Sequence, residues 1–442
     1  MIAWLNKYIL GAAVPILLVA VGAYFGFRLG WFHILHPIKT LRLALGGNRK
    51  KAFSALTLAL AGTLGVGNIV GVAAALAGGG CGAVFWMWIS AFFAMILKYS
   101  EIVLSIRHKR YDRDGSPHGS AMYYINDSFS SRGYKKTGVF LSASFAAFFV
   151  LNALTMGSLL QVGAVTDALR VSISAPEPLT AAILAAVTVM IVTKGRDGAI
   201  RFSERIVPIM TLCVLLLSAA VLIMRAERLP DAFARIFTEA FDIRAMGSGI
   251  LGFLLSDTLR LGVMRGLISN EAGCGTSPTA HAEAEGGAAA AQGVWGIFEV
   301  FVDTVVLCTV TALVLIVSGV PLEGGALMEM TLSAYSSVLG EWSVYLMSAA
   351  VVCFGFATVV CWSHYGKEGA YYLSGRPAAK KCFLLAFVLS VLFGGTVTSG
   401  AAWQLADLAV GAMTLINLFA LVLSAKEIAE ETKNSLDKRR LL

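Results

Sequence analysis

The feature that most constrains the fold of this chain is a series of apolar runs, each long enough to cross a lipid bilayer. A membrane-spanning α-helix needs about 20 mostly apolar residues. In this sequence 57% of the 442 residues are hydrophobic and only 14% are charged, a composition typical of a polytopic membrane protein. Eleven runs are candidates, near residues 9–30, 54–78, 83–106, 138–166, 178–193, 204–224, 246–270, 292–318, 343–373, 382–398 and 402–425.

Lysine and arginine are concentrated in alternate connections between these runs, as expected for cytoplasmic loops. The connections after runs 1, 3, 5 and 9 and the C-terminal tail are rich in them, whereas those after runs 2, 4, 8 and 10 hold few or none. The connection after run 6 is an exception, because it should lie outside yet holds four arginines. We expect a multi-pass protein of the cell (inner) membrane with its N-terminus outside and its C-terminus cytoplasmic. The net charge of +8 then reflects topology and attraction to the lipid bilayer, and nucleic acid is not an expected partner.

The runs after the first divide into two groups of five with nearly equal length. Because five is odd, the groups start from opposite sides of the membrane, as an inverted-topology repeat requires. The predicted organisation is an extra N-terminal helix and cytoplasmic loop (1–53), two five-helix repeats (54–225 and 226–426) and a cytoplasmic tail (427–442). The predicted fold is therefore an all-α polytopic membrane protein of eleven transmembrane helices, one plus five plus five, with discontinuous leading helices.

The segment AGTLGVGNIVG (61–71) would interrupt the second run. Four of its eleven residues are Gly, alongside Thr63 and Asn68, and Gly is among the poorest helix formers. Unwound backbone would offer amide hydrogens to an anion and carbonyl oxygens to a cation. Alternatively the glycines form a close-packing face between helices, which explains Thr63 and Asn68 less well. A less clearly marked interruption is expected in the seventh run, which contains Gly247, Gly249, Gly252 and Gly262.

Sequence patterns of familiar enzymes are missing from the chain. There is no Walker loop, dinucleotide fingerprint, Gly-x-Ser-x-Gly elbow or zinc-type histidine pattern, and the seven cysteines show no paired metal-type spacing. The nearest nucleophile and base candidates for a membrane enzyme are Ser269, Glu271 and Cys274 close to His281. We expect that the protein is not an enzyme.

The segment GTLGVGNIVGVAAALAGGGCGAVFWMWISAFFAMILKYSE (62–101) resembles the signature region of the alanine or glycine:cation symporter family. The resemblance covers nearly everything after residue 50 and implies a sodium-coupled importer of small neutral amino acids. It also implies the LeuT-type inverted-repeat fold with one extra N-terminal helix, and no obligate protein partner. The other matching segments, in the family's order and spacing, are ERIVPIM (204–210), RGLISNEAGCGTSPTAHAEA (265–284), FVDTVVLCTVTALVLIVSG (301–319), WSHYGKEGAYYL (362–373) and WQLADLAVGAMTLINL (403–418).

The resemblance further implies which residues bind the amino acid. The amides of Val66 and Gly67 would hold the substrate carboxylate, and Gln161 would complete the polar contacts. Thr358 and Trp362 would line the pocket, with the Trp362 indole as a wall that limits side-chain size. For Gln161 and Trp362 the alternatives are an interhelical hydrogen bond and an interfacial anchor.

A sodium ion is the cofactor that the resemblance implies. The carbonyls of Ala61 and Leu64 would bind it, opposite Ala357 and Thr358. Sodium is a hard cation that prefers oxygen ligands, which unwound carbonyls and a hydroxyl supply. The Asn68 side chain would lie close to both ion and substrate.

Several residues depart from the family's pattern. Ser158 and Gly163 stand where Asn is usual, and Cys361 replaces a Gly. Ala357 stands where a Ser is expected, so that the sodium site loses a hydroxyl ligand. Asp257 stands where Gln is expected.

Ionisable residues in spanning helices are functional hypotheses. Asp257 could offset the lost hydroxyl, receive the substrate ammonium or carry a proton, or it could simply pair with Arg260 three residues on. Glu101 is expected to pair with Lys98. Two further acidic residues match family positions and are expected to brace helices, namely Asp303 and Asp407.

The predicted function is import of alanine or glycine with sodium by alternating access. Two alternatives stay open. One is a transport-deficient amino-acid sensor of the same fold, which the departures favour, and the other is a proton-coupled carrier of a related small amino acid.

Overall fold

The protein is a bundle of helices in the computed structural model, which describes residues 1–45, 60–111, 115, 117–193, 196–241, 256–282, 288–322, 325–396 and 399–437. Within these residues one antiparallel pair of short strands, Arg110–Tyr111 with Pro117–His118, is the departure from an all-helical fold. In the first half the helices are α1 (Ile2–Arg28), α2 (Phe32–Leu35), α3 (Pro37–Leu45), α4 (Val70–Gly79), α5 (Ala83–Arg107), α6 (Ala121–Ser130), α7 (Lys135–Ile173), α8 (Glu177–Val192), α9 (Arg196–Met224) and α10 (Leu229–Ala240). In the second half they are α11 (Asp257–Asn270), α12 (Pro278–His281), α13 (Ala289–Ser318), α14 (Leu327–Leu339), α15 (Trp342–Ser374), α16 (Pro377–Phe393), α17 (Ser399–Leu423) and α18 (Ala425–Asp437).

Seven helices in the described part of the chain are long and apolar enough to cross a membrane by themselves. The chain is therefore a multi-pass helical membrane protein, as its apolar runs predicted. Two shorter apolar helices accompany them, and the count of eleven spans and the five-plus-five layout stay predictions. The first residues of the second run (54–59) and of the seventh run (246–255, with Gly247, Gly249 and Gly252) lie outside the described residues. The seven are α1, α5, α7, α9 from Arg205, α13, α15 and α17 from Gly400.

The predicted interruption of the second run is found in the structure. Residues 60–63 are helical, residues 64 and 65 bend, and Val66–Asn68 form one 3-10 turn before α4 begins at Val70. Gly65 is extended, with φ −107° and ψ −163°. The backbone between 64 and 69 therefore leaves α-helical geometry among fully buried side chains.

A second interruption follows the seventh run, whereas Gly247, Gly249 and Gly252, which marked the predicted one, lie outside the described residues. Gly262 is inside α11, where an added Cβ would stand 2.4 Å from the Ala83 carbonyl oxygen, so this glycine allows α11 to pack closely on α5. The helix instead ends at Asn270, and α12 begins at Pro278. Residues 271–277 between them contain left-handed backbone, which begins at Glu271 with φ 53°.

Helices α7 and α15 approach each other closely enough to place side chains of both at the first interruption. An added Cβ at Gly157 of α7 would stand 2.5 Å from Cβ of Trp362 on α15. An added Cβ at Gly355 of α15 would stand 2.6 Å from a methyl of Val165 on α7. Because both contacts would be overlaps with any larger residue, these glycines set the spacing of the two helices.

A group of charged side chains ties the end of α5 to α6 and α18. The ring of His108, directly after α5, bonds through Nδ1 to Asp127 Oδ2 at 3.0 Å and through Nε2 to Glu427 Oε2 at 3.2 Å. Arg107 adds ion pairs to Glu427 and Glu431 at 3.2 and 3.0 Å. These contacts fix the C-terminal helix against the connection after α5.

The stability of the protein is expected to fall as the pH rises from 7 to 10. Burial lowers the pKa of His108, but its hydrogen bonds to Asp127 and Glu427 raise it more, from the ordinary 6.5 to about 9. The charged ring therefore stabilises the fold fully below pH 6.5, and this contribution, on the order of 2 kcal/mol, is lost as the pH passes through about 9. Melting curves of the detergent-solubilised protein should show a larger fall for the wild type than for His108→Gln. Parallel falls in the two proteins would contradict this assignment.

Candidate functional site

The first interruption presents backbone groups to the side chain of Gln161. The Val66 amide donates a hydrogen bond to Gln161 Oε1 at 3.1 Å, and Gln161 Nε2 donates to the Met156 carbonyl at 3.0 Å. Gln161 is almost completely buried and follows a π-helical turn of α7, Thr155–Leu159. Turns of this kind are frequent at functional sites because they redirect side chains within a helix.

Gly65 is the point at which the interruption, α7 and α15 meet. An added Cβ at Gly65 would stand 2.8 Å from Thr358 Oγ1 and 2.9 Å from Gln161 Oε1. Its extended conformation is open to any residue, so the requirement for Gly comes from contact alone. A side chain here would occupy the space between the two polar groups.

Two of the predicted sodium ligands are brought together by the structure. The Thr358 hydroxyl donates to the Ala61 carbonyl oxygen at 3.0 Å, across the gap between the first interruption and α15. The other two residues of the predicted set are also fully buried. Leu64 lies three residues after Ala61, and Ala357 directly precedes Thr358. The predicted ligands are backbone carbonyls and one hydroxyl, which are oxygens without a formal charge. Such ligands fit a monovalent hard cation.

Trp362 lies one helical turn after Thr358 on α15 and is fully buried. Its ring centroid lies 5.7 Å from that of Phe149 and 5.3 Å from that of Tyr365, and its Cβ faces Gly157. Trp362 thus lies inside the bundle and is not an interfacial anchor. Its indole N–H has no hydrogen-bond partner among the described residues.

The Asn68 side chain connects the first interruption to α13. Its hydrogen bonds go to α13 and not to Gln161 of α7. Asn68 Nδ2 donates to Asp303 Oδ1 at 2.7 Å, and the Ser269 hydroxyl of α11 donates to Asp303 Oδ2 at 2.6 Å. Thr304 adds a third donor at 2.8 Å. Asp303 thereby braces both interrupted helices, as predicted for a residue that holds helices.

One turn earlier on α13, Glu299 makes a second connection of the same kind. Its Oε1 lies 3.0 Å from Lys98 Nζ and accepts from the hydroxyls of Thr63 at 3.2 Å and Ser277 at 3.4 Å. Its Oε2 lies 3.1 Å from His281 Nε2. Sequence reasoning missed Glu299, although two acidic residues four apart in one apolar run are a usable signal.

The expected pairing of Lys98 with Glu101 is wrong. The fully buried Lys98 forms its ion pair with Glu299 and donates to the Asn270 carbonyl at 2.6 Å. Glu101 accepts instead from the Gly275 amide at 3.0 Å and from the Asn417 side chain. The two residues share a face of α5, but that face packs on α11 and α13, which provide closer partners.

A cavity of about 310 Å3 reaches the first interruption. It is lined by Val66 of the first interruption, Val70 of α4 and Gly163 of α7. Its lining also includes Glu177 at the start of α8, Ala326–Met328 at the start of α14 and Gly394–Thr396 directly after α16. The cavity therefore offers space for a small molecule next to the unwound segment.

Three other residues singled out from the sequence make their contacts away from Gln161, Thr358 and the first interruption. Asp257 is the first residue of α11 and forms an ion pair with Arg260 at 2.8 Å, with its side chain about half exposed, at 49%. The Ser158 hydroxyl lies 2.6 Å from that of Ser390 on α16, so this departure from the family's pattern faces a neighbouring helix. Asp407 accepts from Arg265 at 2.8 Å, which braces α17 against α11 as expected.

Comparison with known proteins connects this arrangement to membrane transporters. The model of the sodium:alanine symporter family matches residues 1–441. An uncharacterized transporter of Haemophilus influenzae is 33% identical over 99% of this chain and 96% of its own length. The sodium/alanine symporter AgcS of Methanococcus maripaludis is also 33% identical, over 97% of this chain and 95% of its own.

Among solved structures, a variant of the manganese transporter of Eremococcus coleocola has a similar fold. The TM-score is 0.50 at 15% identity, over 84% of this chain and 76% of that protein. At this identity the likeness concerns the fold alone.

Proposed function

The chain belongs to the sodium:alanine symporter family, and on that premise we propose that it imports alanine or glycine together with sodium by alternating access. A member of this family is a membrane transporter and not an enzyme. The choice of amino acid, the coupling ion and the residues of the site are the proposal. The single observation that carries it is the buried, unwound segment 64–69, in which the Val66 amide donates to Gln161 and Val66 also lines a cavity.

The amino acid would bind at this segment in a defined orientation. Its carboxylate would accept from the amides of Val66 and Gly67 and take the place that Gln161 Oε1 has now. Gln161 could then turn and donate through its Nε2. The carboxylate is suited to this position because backbone amides freed from a helix carry partial positive charge. Trp362 would limit the size of the substrate side chain, which favours small amino acids.

Sodium would bind between the interrupted helix and α15. The Ala61 carbonyl and the Thr358 hydroxyl would supply two oxygens, and the carbonyls of Leu64 and Ala357 two more. Because Ala357 has no hydroxyl, this site has one ligand fewer than the family's pattern implies. A sodium ion that falls through 100 mV contributes about 2.3 kcal/mol to the import of a neutral substrate.

The position of the cavity supports an outward-facing arrangement. Its lining includes Glu177 between runs 4 and 5, Ala326 between runs 8 and 9 and Gly394–Thr396 at the end of run 10, which are positions that the charge pattern assigns to the outside. Glu299, the partner of Lys98, contacts Thr63, which precedes the interruption, whereas the cavity is lined by Val66 within the interruption and Val70 after it. The buried ion pair and the cavity therefore lie on opposite sides of the interruption. We include in the proposal the cytoplasmic C-terminus, the outside N-terminus and the two repeats 54–225 and 226–426.

Uptake of labelled alanine and glycine into proteoliposomes tests the function. With sodium outside and potassium inside, we expect accumulation, and with choline in place of sodium we expect none. Binding without uptake under any ion gradient would instead establish the sensor, which the departures at Gly163 and Ala357 favour. Uptake driven by a proton gradient without sodium would establish the proton-coupled carrier.

Gln161→Ala is expected to raise the Kd for alanine roughly five- to tenfold. The substitution removes a hydrogen-bonding side chain from the site, and a hydrogen bond of this kind contributes about 1 kcal/mol. Titration of the melting temperature with alanine in the presence of sodium measures the change. The matched control is Ser158→Ala on the same helix, whose side chain faces Ser390. Equal Kd values in the two variants would remove Gln161 from the site.

A further inference from the structure

The second interruption is surrounded by buried carboxyl groups that the proposed function does not use. Glu271 begins the unwound segment 271–277, and Glu101 of α5 accepts from the Gly275 amide within it. Glu299 and Asp303 of α13 face the same segment and the end of α11. All four side chains are at most 1% exposed.

The charges of this group do not balance. Lys98 is the buried cation that faces it in the described structure, and Glu299 is its ion-pair partner. The His281 ring contacts Glu299 through Nε2 and the Gln292 side chain through Nδ1. One lysine against four carboxyls leaves three carboxyls without a lysine as partner. A buried, uncompensated carboxylate is costly unless it is hydrogen-bonded or takes up a cation.

Hydrogen bonds compensate two of the remaining three carboxyls better than the third. Asp303 accepts from Asn68, Ser269 and Thr304. Glu101 accepts from the Gly275 amide and the Asn417 side chain, both at Oε1, while its Oε2 has no partner among the described residues.

Glu271 has the weakest compensation. Its Oε2 accepts from the Thr276 hydroxyl at 2.6 Å, while its buried Oε1 has no partner among the described residues.

The backbone at Glu271 is a second and independent observation. The residue caps α11 in the left-handed region, with φ 53° and ψ 23°. That region favours Gly or Asn after a helix and costs a Glu side chain free energy. Strained residues of this kind persist where the side chain has a role. The turn alone therefore does not explain why a Glu occupies this position, whereas a role for its carboxyl group does.

A proton is the ligand that fits a single bare oxygen. A metal cation needs several oxygens at short range, whereas protonation needs one carboxylate oxygen and removes the uncompensated charge at the same time. We propose that Glu271 is a proton-binding site that is loaded and unloaded once in each transport cycle. The carboxylate takes a proton from solution and returns it to solution on the other side or on the same side, with no other bond changed. This inference rests on the proposed transport function.

The surroundings give Glu271 a route to influence transport. Asn270, which precedes it, accepts from Lys98 through its carbonyl and donates to Thr304 through its side chain. A charge that appears on Glu271 would compete with Glu299 for Lys98. Glu299 also accepts a hydrogen bond from Thr63 of the first interrupted helix. A change in the protonation of Glu271 at the second interruption would therefore alter contacts of the first. The ionisable groups around Glu271 are Lys98 and Glu101 of α5, Glu299 and Asp303 of α13, Tyr365 of α15 and Cys274 of its own segment, and His281 of α12 contacts Glu299.

Calorimetric titration of the full-length protein with alanine and sodium tests this site. The titration is run at one pH in two buffers with different ionisation enthalpies, which reveals protons exchanged on binding. We expect exchange of about one proton per alanine bound in the wild type at some pH between 6 and 9, and close to none in Glu271→Gln. Initial uptake rates should depend on pH in the wild type and much less in Glu271→Gln.

Glu101→Gln is the matched control, since it neutralises the neighbouring carboxyl, which also has one oxygen without a partner among the described residues but accepts two hydrogen bonds where Glu271 accepts one. It should exchange the same number of protons as the wild type. Equal proton exchange in Glu271→Gln and the wild type would overturn the assignment, and so would loss of exchange in Glu101→Gln alone. If Glu271→Gln does not fold, Glu271→Asp decides, because it should retain the exchange with a shifted pH dependence. No proton exchange in a wild type that binds alanine also overturns it.

Failure of this site and failure of the transport function are distinguishable. Proton-linked binding without uptake supports the site in a sensor. Sodium-driven uptake without proton-linked binding supports the transporter and removes Glu271 as a proton site.

Discussion

Replacing Gly65 with alanine is expected to abolish amino-acid uptake while the protein remains folded. The new Cβ would stand 2.8 Å from Thr358 Oγ1 and 2.9 Å from Gln161 Oε1, closer than carbon and oxygen atoms approach. These atoms are side-chain ends that can move at a small cost in stability. They are also the groups proposed to meet sodium and the amino acid, and a displacement of about 1 Å at such a site costs roughly a hundredfold in rate.

Initial uptake rates of alanine in proteoliposomes measure the effect. Gly71→Ala is the control, because the nearest atom to its added Cβ is 4.0 Å away on the Trp403 ring and alanine is favourable inside α4. We expect wild-type uptake from Gly71→Ala and a melting temperature for Gly65→Ala within a few degrees of the wild type. Uptake by Gly65→Ala at the rate of the control would rule out the close meeting of Gly65, Gln161 and Thr358 as the transport site.

Replacing Lys98 with methionine is expected to cost about 3–5 kcal/mol of unfolding free energy. Lys98 and Glu299 are both fully buried at 3.0 Å, and Lys98 also satisfies the Asn270 carbonyl at the second interruption. Methionine has a similar shape, so the loss is mainly electrostatic, because Glu299 is left charged without its counter-ion. The melting temperature in detergent, followed with a thiol-reactive dye or by intrinsic fluorescence, should fall by several degrees.

The double variant Lys98→Met with Glu299→Gln should recover a large part of this loss, because it removes both charges together. Glu431→Gln provides the comparison with a surface pair. Its partner Arg107 is 48% exposed, and exposed pairs contribute about 1 kcal/mol or less. A Lys98→Met protein as stable as Glu431→Gln would show that the buried pair does not hold the two interrupted helices.

The first interruption could be predicted because its signals are local. Glycines at 62, 65, 67 and 71 lower helix propensity within one apolar run, and bare backbone in a membrane is tolerated only where it is buried in protein or lines a cavity. The structure interrupts the helix at 64–69 accordingly. The positions of Gln161 and Thr358 beside it came from the family resemblance and not from the pattern of residues.

The second interruption could not be located from the sequence, because hydropathy alone marked its helix. The apolar run ends near residue 270, and three of the glycines inside it, Gly247, Gly249 and Gly252, lie outside the described residues. In the structure Gly262 serves helix packing against Ala83, while Gly273 and Gly275 adopt φ 87° and 78° after the helix has ended. The same residue type thus has two roles, and only its neighbours in space distinguish them.

The sequence by itself determined that this chain crosses the membrane several times, that it belongs to the sodium:alanine symporter family and that its second run is broken near residue 65. These properties depend on composition, on short segments and on motifs, all of which are written along the chain. The tertiary structure alone decided which buried charges meet. Spacing within one helix placed Glu101 beside Lys98, but it cannot tell which other helix covers that face. The packing of α5 against α13 brought Glu299, 201 residues away, to Lys98 instead, because a buried charge pairs with the partner that lies closest in space.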